Sequence, residues 1–227
     1  MLRENCQKLK ENIQKICDQA GRKPSEITVV VASKSQSPKD IEEVYREGFT
    51  HFAESRQQEA EPKIQSLAHL PIHWHFIGNI QSNKLPKILE KFEIIQSFSQ
   101  EPHLQKAQDI LQASQSHKPI YLEANISQEP TKGGLTPQQA LNFFQNKKHL
   151  LYPNLIFAGL MTIAPNTPDK QTIRQSFDKT HDLFTQIQKI TPSLQTLSMG
   201  MSQDYEAAIQ SGSNMIRVGT TLFGPRQ

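Results

Sequence analysis

The sequence predicts a (β/α)₈ (TIM) barrel preceded by an extra helix, in one domain spanning residues 1–227. Three observations carry this. Eight strand-like runs follow one another with helical patterns or helix signals between them, the first run is apolar on both faces, and no linker, low-complexity tract or charge block divides the 227 residues. Strict βα alternation requires parallel strands joined by right-handed crossovers. Eight such units in a chain of about 200–250 residues have the usual size of a closed barrel. An open doubly wound sheet is the alternative, but no Gly-x-Gly-x-x-Gly turn follows any strand.

The elements follow in order. Leu2, Cys6, Leu9, Ile13, Ile16 and Cys17 recur at helical spacing, and Gly21 ends that helix. The run Ile27–Ser33 is β-branched and apolar throughout, as a strand buried on both faces requires. Ser37-Pro38 opens a helix reaching Tyr45 and closing at Gly48. Further strands are read at Thr50–Ala53, His73–Ile77, Glu93–Ser97, Ile120–Asn125, Leu155–Met161, Leu197–Met199 and Met215–Val218. Helical patterns cover Gln105–Ala113, Pro137–Phe144, Thr172–Ile190 and Tyr205–Ile209.

Composition narrows the function. With 25 Lys plus Arg against 22 Asp plus Glu, the net charge of +3 is too small for a dedicated nucleic-acid binder. Leu, Ile, Val and Phe make up about a quarter of the chain, above the ~20% that marks disorder. No apolar stretch approaches the ~20 residues of a membrane helix, and the polar N-terminal helix has no signal-peptide core. The expectation is a cytoplasmic protein. Cys6 and Cys17 lie on one helix face but about 16 Å apart, too far for a disulfide, and read as ordinary thiols.

In this barrel, functional groups stand at the carboxyl ends of strands. Alternation along the first strand puts Val30, Ala32 and Lys34 on one face, with Lys34 at the mouth. A lysine closing a buried strand either snorkels to water or, desolvated, becomes a nucleophile suited to Schiff-base chemistry. Ser198-Met199-Gly200-Met201-Ser202 leaves the seventh strand and Arg217-Val218-Gly219-Thr220-Thr221 the eighth. Loops after these two strands commonly hold phosphate in such barrels. Gly200 and Gly219 permit close backbone approach, and Ser202 reads as the N-cap of the next helix. Barrel closure sets the eighth strand beside the first and Lys34 beside this cradle. A Schiff-base lysine next to a phosphate site suits pyridoxal 5′-phosphate or a phosphorylated sugar. Arg217 facing inward would bond a pyridine nitrogen and disfavour its protonation.

Other polar features read as structural. His73 and His75 share a strand face without a third ligand at convincing spacing, so no metal is expected. Phe76–Lys84 is a polar turn entering a helix, with Ser82 or Asn83 as its cap. Lys132-Gly133-Gly134 lacks the rest of a Walker pattern and reads as a mobile loop.

These residues bring a resemblance into view. The stretches Val30–Lys34, His75–Lys84, Gly159–Thr162, Leu197–Ser202 and Arg217–Gly224 are similar to those of the family of pyridoxal phosphate homeostasis proteins. They run in order over almost the whole chain, and the Ser-Met-Gly-Met-Ser and His-Phe-Ile-Gly segments are highly specific. The resemblance implies a barrel like the N-terminal domain of alanine racemase. It implies a Schiff base between pyridoxal 5′-phosphate and Lys34, phosphate contacts on Ser198, Ser202, Gly219 and Thr220, and a pyridine-nitrogen contact on Arg217. It also implies a monomeric vitamin B6 carrier or regulator that contacts pyridoxal-phosphate enzymes transiently and has no established turnover. A weak racemase or a Schiff-base aldolase is the alternative. The chain ends at Gln227 directly after the last strand, which leads us to expect no second domain to supply a racemase's tyrosine base. One departure stands out: the family's Gly-Glu-Asn-Tyr is Ala53-Glu54-Ser55-Arg56 here, trading an amide for a shorter hydroxyl and an aromatic ring for a charge.

Overall fold

The computed structural model describes residues 1–224. Eight parallel strands close into a barrel in sequence order: β1 Thr28–Ala32, β2 His51–Glu54, β3 His73–Phe76, β4 Ile94–Phe98, β5 Lys118–Ala124, β6 Leu155–Thr162, β7 Thr196–Met201 and β8 Met215–Val218. Helices α2 Pro38–Arg46, α3 Gln57–Ser66, α4 Leu85–Lys91, α5 Glu101–Ala113, α6 Pro137–Gln145, α7 Lys170–Ile190 and α8 Tyr205–Gln210 alternate with them, and α9 Thr220–Phe223 follows β8. The extra helix α1, Leu2–Ala20, ends at Gly21 in the left-handed region (φ 65°), where Arg22 N–H donates to Cys17 O. Cys6 and Cys17 are buried free thiols on its inner face.

Apolar burial divides into two sets. The larger lies between strands and helices and includes Val31, Phe52, Phe76 and Phe177. The smaller is Val30, Ala53, Tyr121, Met161 and Met215 inside the barrel. Buried polar groups share that interior: His75, Gln96, Glu123, Ser198 and Arg217. Buried polar groups are costly unless hydrogen-bonded, so their partners decide what the barrel can do.

Helix α1 ties both ends of the barrel. Near its start Asn5 Nδ2 donates to Leu222 O (2.7 Å) after β8, while Arg22 Nη1, just beyond the helix, donates to Ile209 O (2.9 Å) and Ser213 O (2.6 Å) ahead of β8, at the opposite end. β7 runs two residues further than its apolar run predicts, because its register against β8 shifts between Ser198 and Met201. Gly200 lies within that shift at φ 97°. Among the described residues no helix is long and apolar enough to cross a membrane.

Candidate functional site

Pairing of β1 with β8 aligns Val30 with Arg217 and Val31 with Val218, which brings the end of β1 against Gly219. A Cβ at Gly219 would lie 3.2 Å from Ala32 O. Just past β1, Gln36 N–H donates to Ser33 O (3.0 Å) and closes a tight turn with Lys34 at its second position. Ser35, the third, is left-handed at φ 68°, a strain of about 1 kcal/mol or more in a non-glycine residue.

Lys34 opens into a cavity of about 320 Å³ at the carboxyl ends of the strands, shared with Ser202, Asp204, Arg217, Gly219 and Thr220. Small-molecule sites span roughly 300–1,000 Å³. Five of the seven residues expected at a ligand site, Lys34, Ser202, Arg217, Gly219 and Thr220, therefore line one space.

The other two have different work. Ser198 is fully buried outside that lining; its hydroxyl accepts from Arg217 Nη1 and donates to Gln96 Oε1, both at 2.7 Å. Its side chain supports Arg217 instead of facing a phosphate. Gly200 is required by packing, because a Cβ there would fall 2.5 Å from Ala208 Cβ on α8. Ser202 is not a helix cap either: α8 starts at Tyr205 behind Asp204. The Ser202 hydroxyl instead accepts from the N–H groups of Gly219 (3.1 Å) and Thr221 (3.3 Å), binding the β7 loop to the β8 loop.

Two more expectations are corrected. Lys84 occupies the N-cap position of α4 with no side-chain cap, and Ser82 contacts His103 Nε2 at 3.1 Å. Lys132-Gly133-Gly134 is tied down: Lys132 Nζ donates to Glu129 Oε1 (2.8 Å) and Ala164 O (2.6 Å), and Asn125 Nδ2 donates to Lys132 O (3.1 Å).

Arg217 is the anchor of a hydrogen-bond chain that crosses the barrel. It is 5% exposed and also donates through Nη2 to Thr162 O (2.8 Å). Burial lowers its pKa to about 10, partly opposed by Glu123 and Asp204, so it stays protonated at neutral pH. A guanidinium can only donate, which fixes the direction of the chain. Arg217 donates to Ser198, Ser198 to Gln96 Oε1, and Gln96 Nε2 to His75 Nδ1 (2.8 Å). His75 Nε2 then carries the proton and donates to His51 Nδ1 (2.9 Å) at the opposite end of the barrel. His51 stacks on His73, whose Nδ1 meets Glu93 at 2.8 Å. The two histidines read as structural thus belong to a polar column. Gln96, its middle link, is missed by a reading confined to strand ends, although a lone glutamine in Ile94-Ile95-Gln96 is the visible signal.

Glu123, near the end of β5, is 7% exposed and has its pKa raised to about 7 by desolvation, with Arg217 pulling the other way. His75 moves oppositely: burial, aided by His51 and His73, lowers it to about 3. Their effects on stability have opposite signs. A native carboxyl with a raised pKa binds more protons than the unfolded one between its ordinary value near 4.5 and 7, so stability is lost as pH rises through that window. A histidine with a lowered pKa loses stability as pH falls from 6.5 towards 3. From about pH 4.5 to 6.5 the two largely cancel. Glu123→Gln removes the first effect. The variant should exceed the wild type by under ~1 kcal/mol at pH 5 and by about 3 kcal/mol at pH 8. Urea unfolding at the two pH values checks this, and an equal difference at both would contradict it.

The fold and the site define a barrel of the alanine racemase N-terminal-domain class: that family's model matches residues 5–227. An alanine racemase from Clostridium difficile superposes with a TM-score of 0.77 at 12% identity, over 98% of this chain and 57% of that one, a likeness of fold. Within this class the chain belongs to the family of pyridoxal phosphate homeostasis proteins. The protein of that name from Pasteurella multocida is 37% identical over 233 residues, covering 99% of this chain and 97% of the relative. The one from Aquifex aeolicus is 35% identical, covering 99% and 98%. The solved structure of PipY from Synechococcus elongatus with bound PLP has a TM-score of 0.81 at 29% identity, over 93% of this chain and 99% of that one.

Proposed function

We propose that this chain binds pyridoxal 5′-phosphate through a Schiff base on Lys34 and serves its homeostasis in the cytoplasm. In this reading it is a monomeric single-domain carrier that contacts recipient pyridoxal-phosphate enzymes transiently. The observation that carries the reading is the convergence on one cavity of a primary amine, an arginine, the hydroxyls of Ser202 and Thr220, and the open backbone at Gly219. This donor set fits the cofactor's aldehyde, ring nitrogen and phosphate. The cofactor supplies an aldehyde that condenses reversibly with an amine, releasing water.

The remaining residues bind and orient. Ser202 and Thr220 would supply the phosphate donors, with the Gly219 N–H holding the Ser202 hydroxyl in place and Gly200 shaping the turn that presents it. Arg217, held on Ser198 and Thr162, would meet the ring nitrogen with a group that can only donate, which would disfavour protonation of that nitrogen and leave the ring a poor electron sink. That favours storage and release over turnover. Addition of pyridoxal phosphate to the purified protein should produce a yellow absorbance band that survives gel filtration. A protein that stays colourless would overturn the reading.

One observation favours a second reading, a weak amino-acid racemase or Schiff-base aldolase: Glu123 titrates near neutrality, where a proton-transfer group works best. Proton exchange at the α-carbon of added amino acids in deuterated water, faster than with free cofactor and lost in Glu123→Gln, would establish it.

A further inference from the structure

The hydrogen-bond column across the barrel has two possible directions. The oxygen and N–H₂ of Gln96 have the same shape, so turning the amide over exchanges acceptor for donor and displaces no other group. Neutral His75 carries its proton on either ring nitrogen, and Ser198 Oγ accepts from Arg217 Nη1 (2.7 Å) whether or not its own hydrogen is used. Ser198, Gln96 and His75 are all fully buried, so no solvent relieves a mismatched pair between them.

Two contacts favour the direction that holds with His51 neutral. Ser198 Oγ donates to Gln96 Oε1 (2.7 Å), and Gln96 Nε2, besides meeting His75 Nδ1 (2.8 Å), lies 3.4 Å from Met215 Sδ, a weak acceptor. Reversal takes that acceptor from the serine hydrogen and sets the amide oxygen against the sulfur. The far end makes the opposite demand. His51 is partly open to solvent, and its Nδ1 accepts from His75 Nε2 (2.9 Å). Once charged, an imidazole has only donors. A proton on His51 Nδ1 therefore makes His75 Nε2 the acceptor, and burial keeps His75 neutral, so its single proton moves to Nδ1. Gln96 then turns its oxygen to His75 and its N–H₂ to Ser198. One proton enters from water and none is lost. The titratable and charged groups around His51 come from neighbouring strands: His75 and His73 on β3, with His73 stacked on it at 4.6 Å, and Glu93 ahead of β4. Glu93 holds His73 at 2.8 Å and is faced in turn by Lys118 at the start of β5.

We propose that a proton on His51 reverses this column and loosens Arg217, so that the far end of the barrel regulates the Lys34 cavity. A hydroxyl that donates is a stronger acceptor for a second partner. After reversal Ser198 only accepts, and Gln96 competes with Arg217 for its oxygen. The reversal stands on the column alone; its effect on pyridoxal phosphate rests on the cofactor reading.

Nitrogen-15 NMR of the histidine rings without added cofactor, from about pH 8 to about pH 5, tests the reversal. As His51 takes up its proton, His75 should stay neutral while its N–H changes from Nε2 to Nδ1. In His51→Gln, whose amide oxygen can accept from His75 at every pH, the Nε2–H should persist. The proposal is overturned by a His51 that is still neutral at the acid end, by a His75 that keeps Nε2–H after His51 has titrated or that gains a second proton, and by the same change in His51→Gln. Equilibrium binding of pyridoxal phosphate gives the second readout. Over the same range the affinity of the wild type should fall about fivefold more than that of His51→Gln, the worth of roughly one hydrogen bond, because Lys34, Glu123 and the phosphate are common to both. Parallel pH profiles would overturn the link to Arg217. A protein that takes up no pyridoxal phosphate yet switches the His75 tautomer would refute the cofactor reading alone.

Discussion

Lys34→Ala should remove the yellow band outright and weaken retention of pyridoxal phosphate on the order of 100-fold, leaving only the phosphate and ring contacts to hold it. The loss has a second readout. A ligand at 100 times its dissociation constant stabilises the fold by about 2.7 kcal/mol, whereas the same concentration at a 100-fold weaker site gives only ~0.4 kcal/mol. The variant should therefore unfold like the wild type without cofactor and lose most of the cofactor-dependent rise in melting temperature. Unchanged stabilisation in the variant would show that another amine, or none, holds the ligand.

Lys63→Met should cost about 3–5 kcal/mol of folding free energy, the penalty for leaving a buried charge without its partner. Lys63 Nζ donates to Glu54 Oε1 (2.8 Å) and Ser33 O (2.9 Å), and Ser33 Oγ donates to the same carboxylate oxygen (2.8 Å). Glu54 is fully buried, and its Oε2 already lacks a partner. Without the lysine, the carboxylate behind the Lys34 turn faces only Ser33. Adding Glu54→Gln to Lys63→Met should recover a large part of the loss, since the double variant holds no uncompensated charge. Urea denaturation of the wild type and the two variants measures this. A Lys63→Met cost below about 1 kcal/mol would mean that water reaches the pair.

These two lysines show how unevenly the sequence speaks. Lys34 is legible because it ends a β-branched run whose alternation leaves one direction open, and Arg217 because β8 pairs with β1 in any closed barrel of this order. Lys63 is not: Gln-Gln-Glu-Ala-Glu-Pro-Lys has the composition of a solvated surface, and Pro62 hides the helix that carries it. Its partner stands nine residues earlier on β2, a contact that only the tertiary fold creates. The same limit explains Ser198. It falls in the strand-like run Leu197–Met199 and opens the segment read as a phosphate loop, but pairing of β7 with β8 leaves it inside the barrel under Arg217. Local pattern located the amine, the arginine and the glycine-rich turn; which polar residues support them depends on strand register.

The column from Arg217 to His51 gives the site a rigid back. Each link has one direction, so Gln96→Leu would leave Ser198 without its acceptor and His75 Nδ1 without its donor. This ties placement of the arginine to residues far from the mouth.

The central claim is that the amine at the end of β1 holds the cofactor. Borohydride reduction of the protein loaded with pyridoxal phosphate, followed by digestion and mass spectrometry, tests it directly. A single phosphopyridoxyl group on the peptide carrying Lys34 is the expected result. A modified peptide carrying Lys63, Lys84 or Lys132 with Lys34 unlabelled would contradict it.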